Sequence, residues 1–446
     1  MLKRLAHCPI RALLGLAPVL SLVALVGLAA SAAEAAAPAP SASAGGSDDA
    51  AHALPSGWVA VWSMAAQQVP SPQQAPSFNR APDTAGRTVR QIVYPSLAGS
   101  RLRVHLTNRF GVTPLDLRSV SVALTGRGAQ IEAGSQKPVT FAGHSNVVIP
   151  PGAEAWSDPV AQNVTPGKPL SISFVAPSGA ATTWHKVASQ VSYISTPGDF
   201  AGSTDGAPFR SHATSYLWLD AVAVEAPGAR AVVAIGDSIT DGMRSTLNAN
   251  RRWPDQLAAR VATSNSASRW AVVNAGISGN RLLNDSPCYG QALETRFRQD
   301  ALEQPGVRDV IVLIGINDIN FGAMPPHSGL DCDVPHVRVQ SSDLIDGYRR
   351  LIAAAHQRHV RIFGATLTPA GLPDDRERVR TEVNTWIRTS HAFDGVIDFD
   401  AAVRDPSDVR RLLPRFDSDD HIHPSDAGYA QMAQAVPLGV LEAVEK

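Results

Sequence analysis

The stretch AVVAIGDSITDG, residues 231–242, is the part of the sequence on which the fold assignment depends. Five apolar residues, 231–235, predict a buried strand, and the Gly-Asp-Ser that follows predicts a turn at the end of that strand. Ser238 therefore stands just beyond a strand end, where α/β sheets bind their ligands. The tripeptide alone fits a turn as well as a nucleophile, because Gly, Asp and Ser all favour turns.

The rest of the C-terminal half repeats this strand pattern. Short apolar runs alternate with helical patterns, and this alternation predicts a parallel sheet that is covered on both faces, in a domain of residues 229–446. The predicted strands are 231–235, 270–273, 309–314, 360–365 and 395–399, and the predicted helices are 252–262, 291–303, 341–358, 376–390 and 426–443.

The preceding half of the chain has a different pattern. Leu102, Val104 and Leu106 alternate with polar residues, and clusters of turn residues separate such runs without a convincing helical period between them. This pattern predicts an all-β sandwich, jelly-roll-like, over residues 55–226.

The N-terminus has the pattern of an export signal. Lys3 and Arg4 precede an apolar stretch over 12–30 and then a run of small residues, so we expect residues 1–36 to be a cleaved signal peptide. The alternative is an uncleaved membrane anchor. Residues 37–54, rich in Ala, Pro and Ser, read as a flexible linker. The predicted location is therefore secreted or periplasmic, with no membrane contact in the mature form.

Charge and cysteine content narrow the possible partners. The chain has 39 basic and 40 acidic residues, and this near neutrality argues against nucleic acid as a partner. Cys8 leaves with the signal peptide, so Cys288 and Cys332 remain in an oxidising compartment and predict one disulfide. The alternative is two unpaired thiols that are buried as small apolar groups.

A serine nucleophile needs a base, and the base needs a group that orients it. The segment DSDDHIHPSDAGY, residues 417–429, holds two histidines and several acids, and only Asp420 and His423 have the Asp-x-x-His spacing. This spacing lets the carboxylate reach the imidazole Nδ1 and leaves Nε2 for Ser238. The alternative is a polar loop before a helix, with Ser425 as the helix cap.

The oxyanion of an acyl-transfer intermediate also needs hydrogen-bond donors. NAGISGNR follows the second predicted strand and GIND follows the third. Gly279 could present a bare backbone N–H and Asn317 a side-chain amide, although each fragment by itself also fits a structural turn.

These four segments together resemble the SGNH, or GDSL-type, hydrolase superfamily over about residues 229–446. The matching segments are GDSIT with Ser238, NAGISGN with Gly279, GIND with Asn317 and DDHIHP with Asp420 and His423. Isoleucine stands where the family name has leucine, which leaves the serine unaffected. The fuller strings are similar to a branch of secreted bacterial esterases that includes arylesterases encoded beside xylanases.

The resemblance implies a flavodoxin-like three-layer α/β/α fold and ester hydrolysis without a metal or another cofactor. Ser238 would attack, His423 would act as base and then acid, and Asp420 would orient the imidazole. The backbone N–H groups of Ser238 and Gly279 and the amide of Asn317 would form the oxyanion hole. The branch points to acyl groups on plant polysaccharides, and the alternative is a broad-specificity arylesterase or lipolytic esterase. The loops after the predicted strands are rich in Gly, Pro, Asp and His, and no long apolar segment resembling a lipase lid lies between the motifs, so we expect short acyl groups, with acetyl foremost.

Two readings from other classes remain open. His421 and His423 with Asp419 and Asp420 could ligate a metal, although no accompanying His or Cys group stands at the other strand ends. Alternatively, the chain could be an exported carbohydrate-binding protein. Five of its eight tryptophans fall in the β region, where they could stack on sugars or fill the core: Trp58, Trp62, Trp156, Trp184 and Trp218. The sequence does not indicate an oligomeric state.

Overall fold

The computed structural model describes residues 54–71, 79–177, 180–264, 269–324 and 333–439 of the 446-residue chain. These residues form one compact unit. None of the helices within these ranges combines the length and the apolar character needed to cross a bilayer.

The first half of the described chain consists of strands. They are β1 (Trp58–Ser63), β2 (Gln67–Gln68), β3 (Arg87–Val93), β4 (Leu102–Thr107), β5 (Leu115–Leu124), β6 (Lys137–Pro138), β7 (Val147–Ile149), β8 (Glu154–Trp156), β9 (Leu170–Ala176), β10 (Thr183–His185), β11 (Ser192–Pro197), β12 (Ser211–Ala213), β13 (Tyr216–Leu217) and β14 (Leu219–Glu225). Their sheets run in the orders β1-β14-β4-β8, β13-β10-β2 and β12-β11-β3-β9-β5-β6, with β7 paired to β5.

The second half alternates strands and helices. Its strands are β15 (Arg230–Gly236), β16 (Trp270–Gly276), β17 (Val307–Leu313), β18 (Arg361–Ala365), β19 (Gly395–Ile397), β20 (Arg404–Asp405) and β21 (Asp408–Leu412). Its α-helices are α1 (Ser238–Asp241), α2 (Trp253–Ala262), α3 (Leu293–Phe297), α4 (Ile316–Phe321), α5 (Ser341–Gln357), α6 (Asp374–Thr389), α7 (Phe399–Val403) and α8 (Asp426–Ala435), with a π-helical turn at Arg298–Leu302 and a 3₁₀ turn at Pro414–Phe416.

Five parallel strands form one sheet in the order β16-β15-β17-β18-β19. Numbered along the chain this order is 2-1-3-4-5, which is that of flavodoxin-like sheets. Every residue of β16 is buried, and so is every residue of β15 after the first, so both faces of the sheet are covered. The predicted α/β fold is therefore confirmed.

The helices pack in two groups. On one side α2 contacts α8, and α7 contacts α8; Trp253 and Phe399 lie 5.2 Å apart between ring centroids. In the other group α5 contacts α3 and α6, and the rings of Tyr348 and Trp386 stack at 6.0 Å. The apolar faces predicted for these helices from their periodicity thus meet one another and the sheet.

The final helix is shorter than its sequence pattern predicts. A helix over 426–443 was expected, whereas α8 ends at Ala435. Proline disfavours the helical conformation in the residue before it and cannot donate a backbone hydrogen bond, and Pro437 follows directly after Val436. The expectation of one continuous helix is therefore wrong at this point.

At least one strand of the β region is buried on both faces, unlike a strand in a sheet with one face exposed to solvent. All seven residues of β9 are buried, including the polar Ser171 and Ser173. Arg90 gives one of these serines a buried partner: it is itself fully buried, its Nε donates to Ser173 Oγ at 2.9 Å, and its other nitrogens donate to carbonyl oxygens in the loops that cover the sheet. Burial lowers the pKa of Arg90 to about 10.

The β strands and the parallel sheet share part of their cores. Strand β1 contacts β16, and Val272 N donates to Ser96 Oγ at 3.0 Å. Ala231 and Ala271, at the starts of β15 and β16, pack in the apolar core of the β region, and Ala60 of β1 packs in that of the α/β region. The β region therefore supports the parallel sheet directly.

Candidate active site

Ser238 begins α1 immediately after β15. Asp237 caps the helix by accepting a hydrogen bond from Ile239 N at 3.0 Å, and Ser238 is 5% exposed. The preceding glycine is required by the packing, because a Cβ on Gly236 would collide with the carbonyl oxygen of Leu313 at the end of the neighbouring strand. The Gly-Asp-Ser sequence thus delivers the serine hydroxyl to the carboxyl edge of the sheet.

The structure brings Ser238, His423 and Asp420 together. His423 Nε2 lies 2.9 Å from Ser238 Oγ, and His423 Nδ1 lies 2.8 Å from Asp420 Oδ2. The carboxylate can only accept, so Nδ1 carries the proton and Nε2 is left as the acceptor for the serine hydroxyl. This arrangement of nucleophile, base and orienting acid can activate a serine for acyl transfer.

Backbone hydrogen bonds hold Asp420 in its charged form. Burial by itself would raise the pKa of Asp420, but hydrogen bonds from the backbone and imidazole of His423 and from Ile422 N outweigh it and hold the pKa below its usual range. Arg244 also donates from Nε to Asp420 Oδ2 at 3.0 Å, with its side chain more than half exposed. The acid therefore stays ionised at neutral pH.

The loop before α8 contains a second histidine–carboxylate pair that points elsewhere. His421 Nδ1 lies 2.6 Å from Asp417 Oδ2, and the His421 side chain is 73% exposed. Asp419, the other residue of the alternative metal-ligand set, is exposed. Ser425 caps α8 by accepting from Gly428 N, so the capping role considered for it is present as well.

Gly279 and Asn317 lie on adjoining turns. Gly279 has φ +80°, and a Cβ there would collide with the ring of Tyr289, so both backbone conformation and packing require glycine. Asn317, in the first turn of α4, donates from Nδ2 to the carbonyl oxygen of Asn280 at 3.0 Å. An amide group has two N–H bonds, so this contact leaves one of them for another acceptor.

Two charged residues that the sequence analysis did not single out support these turns. Asp318 accepts from Leu282 N at 2.8 Å and from Leu283 N at 3.0 Å, and burial raises its pKa to about 6. Arg296 is 1% exposed and donates to the carbonyl oxygens of Gly236 and Ala275 at the ends of β15 and β16. In the sequence, the position of Arg296 next to Phe297, on the apolar side of a predicted helix, could have indicated that this arginine is buried.

The predicted cysteine pair is described only in part. Cys288 is disulfide-bonded and 5% exposed, and Asn79 Nδ2 donates to its Sγ at 2.8 Å. Cys332 lies outside the described residues, so the pairing of these two cysteines stays a prediction.

Comparison with known proteins gives a family match over part of the chain. The model of the GDSL-like Lipase/Acylhydrolase family matches residues 234–431. No curated protein sequence matches.

Solved structures of similar proteins match this chain with low sequence identity and low TM-scores. A variant of an acetyl xylan esterase from Geobacillus stearothermophilus is 21% identical, with a TM-score of 0.38 over 49% of this chain and 98% of that one. A GDSL-like lipase from Bacteroides thetaiotaomicron is 16% identical, with a TM-score of 0.33 over 48% of this chain and 89% of that one.

Proposed function

We propose that this chain acts by a serine-based mechanism. Through residues 234–431 it belongs to the GDSL-like lipase/acylhydrolase family, and it is a carboxylic ester hydrolase. The observation that carries the proposal is the 2.9 Å contact between Ser238 Oγ and His423 Nε2, continued at 2.8 Å to Asp420. A hydroxyl, an imidazole and an ionised carboxylate in this order are what acyl-enzyme catalysis requires.

In the first half of the reaction Ser238 Oγ attacks the ester carbonyl carbon while its proton passes to His423 Nε2. The imidazolium is stabilised by the ionised Asp420. When the tetrahedral intermediate collapses, the C–O bond to the alcohol breaks, and His423 returns the proton to the departing alkoxide oxygen. The acyl group is then esterified to Ser238.

In the second half water replaces the alcohol. His423 takes a proton from water, and the resulting hydroxide attacks the acyl-enzyme carbonyl. Collapse breaks the bond to Ser238 Oγ, which recovers the proton from Nε2, and the carboxylic acid leaves. Both half-reactions pass through an oxyanion, and we assign its donors to the backbone N–H groups of Ser238 and Gly279 and to the Asn317 amide.

The substrate we propose is an ester of a short acyl group, with acetyl foremost, on a small alcohol or an acetylated plant polysaccharide. The ring of Tyr289 packs against Gly279 and stacks on Phe321 at 5.5 Å, and the loops after the strands are rich in Gly, Pro, Asp and His; both observations support a short acyl group over a long apolar chain. A broad arylesterase or lipolytic activity is the alternative, and acyl-chain preference separates the two.

The tryptophans of the β region support a structural role for it over a purely sugar-binding one. Trp58, Trp62, Trp184 and Trp218 are at most 7% exposed, which fits a core position. Trp156 is half-buried and stacks on His105 at 4.3 Å. We interpret the many strands of this region as the predicted jelly-roll-like sandwich, in a chain exported after removal of residues 1–36, which lie outside the described residues.

A fluorophosphonate that reacts with activated serines tests the mechanism. Mature protein should incorporate one equivalent at Ser238, located by peptide mass analysis, and should lose hydrolysis of p-nitrophenyl acetate and release of acetate from acetylated xylan in parallel. Ser238→Ala should take up no label. Labelling of a different serine, or full esterase activity in Ser238→Ala, would overturn the proposal.

A further inference from the structure

A buried histidine of the β region contacts the short helix that begins with Ser238. His185 is the last residue of β10, and its side chain is 3% exposed. Its Nε2 lies 2.9 Å from Oδ1 of Asp241, the last residue of α1, although 56 residues separate the two. This contact joins the β region to the short helix that begins with Ser238.

The surroundings of His185 show that it donates from both ring nitrogens. Nδ1 lies 2.9 Å from the carbonyl oxygen of Ala65, and Nε2 is 3.1 Å from the carbonyl oxygen of Val187 in addition to Asp241. All three partners can only accept, so each nitrogen needs a proton and the ring is an imidazolium. Burial lowers its pKa, but the charge of Asp241 and the hydrogen bonds outweigh burial and raise it.

Asp241 also forms hydrogen bonds with Ser278, the residue before Gly279. Its Oδ2 accepts from Ser278 N at 2.8 Å and from Ser278 Oγ at 2.6 Å, while Oδ1 accepts from His185. Asp241 itself is 2% exposed, so without the imidazolium its carboxylate would be buried without a cationic partner. The carboxylate of Asp241 therefore fixes Ser278, the residue before Gly279. Asp241 belongs to the same four-residue helix as Ser238.

The other side of the same turn is held separately. Asn280 N donates to the carbonyl oxygen of Ile277 at 3.0 Å, and its side chain donates to the carbonyl oxygens of Tyr289 and Gln291. These bonds fix Asn280, whereas Ser278 depends on Asp241. The Ser278–Gly279 peptide, whose N–H belongs to Gly279, is thus held on one side by the bonds of Asn280 and on the other by the bonds of Ser278 to Asp241. His185 supports the second side through its contact with Asp241.

We propose that His185 is a positioning residue of the esterase: through Asp241 it holds the Ser278–Gly279 peptide so that the Gly279 N–H points at the oxyanion. This inference rests on the proposed function, because it assumes that Gly279 is an oxyanion donor. It makes the β region part of the catalytic apparatus, since β10 supplies a hydrogen-bond donor that the α/β region needs to align its own turn.

The sharpest comparison uses two side chains of similar length at this position. The Nε2 of His185→Gln can still donate to Asp241, whereas His185→Met donates nothing. We expect His185→Met to lower kcat about 10- to 100-fold, less than the loss expected for deleting an oxyanion donor, with KM changed by less than about twofold. We expect His185→Gln to recover most of that loss.

A merely structural role would not affect transition-state binding selectively. The inhibition constant of a trifluoromethyl ketone, which forms a tetrahedral adduct with an oxyanion, should rise in His185→Met by the same factor by which kcat/KM falls. The matched control is His105→Met, because His105 is also buried in the β region and pairs with Asp220 at 2.7 Å. It should keep the wild-type kcat for each active site titrated with fluorophosphonate.

The outcomes separate this inference from the proposed function. Equal kcat per titrated site in His185→Gln and His185→Met, or a loss in His105→Met that matches that of His185→Met, would overturn the role of His185 while Ser238 still takes up the label. Failure to label Ser238 would instead remove the proposed function. If His185→Met does not fold, Ser278→Ala decides, because removal of the hydroxyl bond to Asp241 must also weaken ketone binding and kcat/KM by one common factor, and unchanged values overturn the proposal.

Discussion

Ser238 Oγ and His423 Nε2 lie 2.9 Å apart although 185 residues separate them in the chain. The contact is held by the packing of α8 against the segment after α1: Tyr429 donates from its hydroxyl to the carbonyl oxygen of Met243 at 2.7 Å, and Asp426 accepts from Thr246 N at 2.9 Å. The loop that bears His423 is therefore fixed against the helix that bears Ser238.

The proposed mechanism predicts that removal of the side chain of Ser238 or of His423 abolishes most of the rate. We expect Ser238→Ala and His423→Ala each to lower kcat on p-nitrophenyl acetate by about 10⁴-fold or more, and the double variant to be little worse, because the two side chains act as one unit. Steady-state kinetics on contaminant-free protein measure this. Losses that multiply in the double variant would show that the two residues act independently.

Asn317→Ala should have a smaller and more selective effect. If its free N–H stabilises the oxyanion, kcat should fall about 10²- to 10³-fold while KM stays nearly constant. The measurement is kcat and KM on acetyl esters, with circular dichroism to verify that the loss of the bond to Asn280 has left the fold intact. A change confined to KM would assign Asn317 to substrate binding instead.

Acyl-chain preference should favour acetate to butyrate over long chains. The ring of Tyr289 occupies the space beside Gly279 and stacks on Phe321, whereas a large apolar pocket would be needed to bury a palmitoyl chain. Initial rates on p-nitrophenyl esters of graded length give the preference. Faster hydrolysis of palmitate than of acetate would favour the lipolytic alternative.

The carboxyl of Asp237 should make stability depend on pH in the neutral range. Asp237 is fully buried, and burial raises its pKa to about 7, although the hydrogen bond from Ile239 N opposes the shift. The native state therefore keeps this proton up to about pH 7, while the unfolded chain loses it near pH 4. Since the native state binds more protons in this window, the free energy of unfolding should fall as pH rises through it, by at most about 1.4 kcal/mol per pH unit.

Asp237→Asn provides the comparison for this effect, because an amide does not titrate there. The free energy of unfolding of the variant minus that of the wild type should increase from pH 5 to pH 7 and level off above. Urea unfolding at matched pH values measures the difference. A difference that is constant over this range would show that Asp237 does not carry the proton.

The disulfide should support the edge of the site. For a bridge between Cys288 and Cys332, chain entropy gives up to about 4 kcal/mol of stability, less any native strain. Cys288 precedes Tyr289, whose ring packs on Gly279, so Cys332→Ser should lower both the free energy of unfolding and kcat. Urea unfolding and thiol titration test this, and two free thiols in the native mature protein would contradict the pairing.

The sequence by itself determined the α/β region and the order of its strands along the chain. Apolar runs and amphipathic periods are properties of neighbouring residues, so they located β15 to β19 and most helix bounds, and Pro437 could have corrected the end of α8 by the same local rule. The Asp-x-x-His spacing is local too, which is why Asp420 and His423 could be paired before any fold was known.

Only the tertiary structure decided which side chains from distant segments meet. Two histidines of one loop each pair with a carboxylate, and the packing of α8 determines that His423, not His421, faces Ser238. In the same way, no spacing links His185 to Asp241, because a strand of one sheet meets a helix of another region only after both have packed. Burial of a charge depends on such long-range pairing, so its position is set by the fold as a whole and not by the neighbours of the residue in the chain.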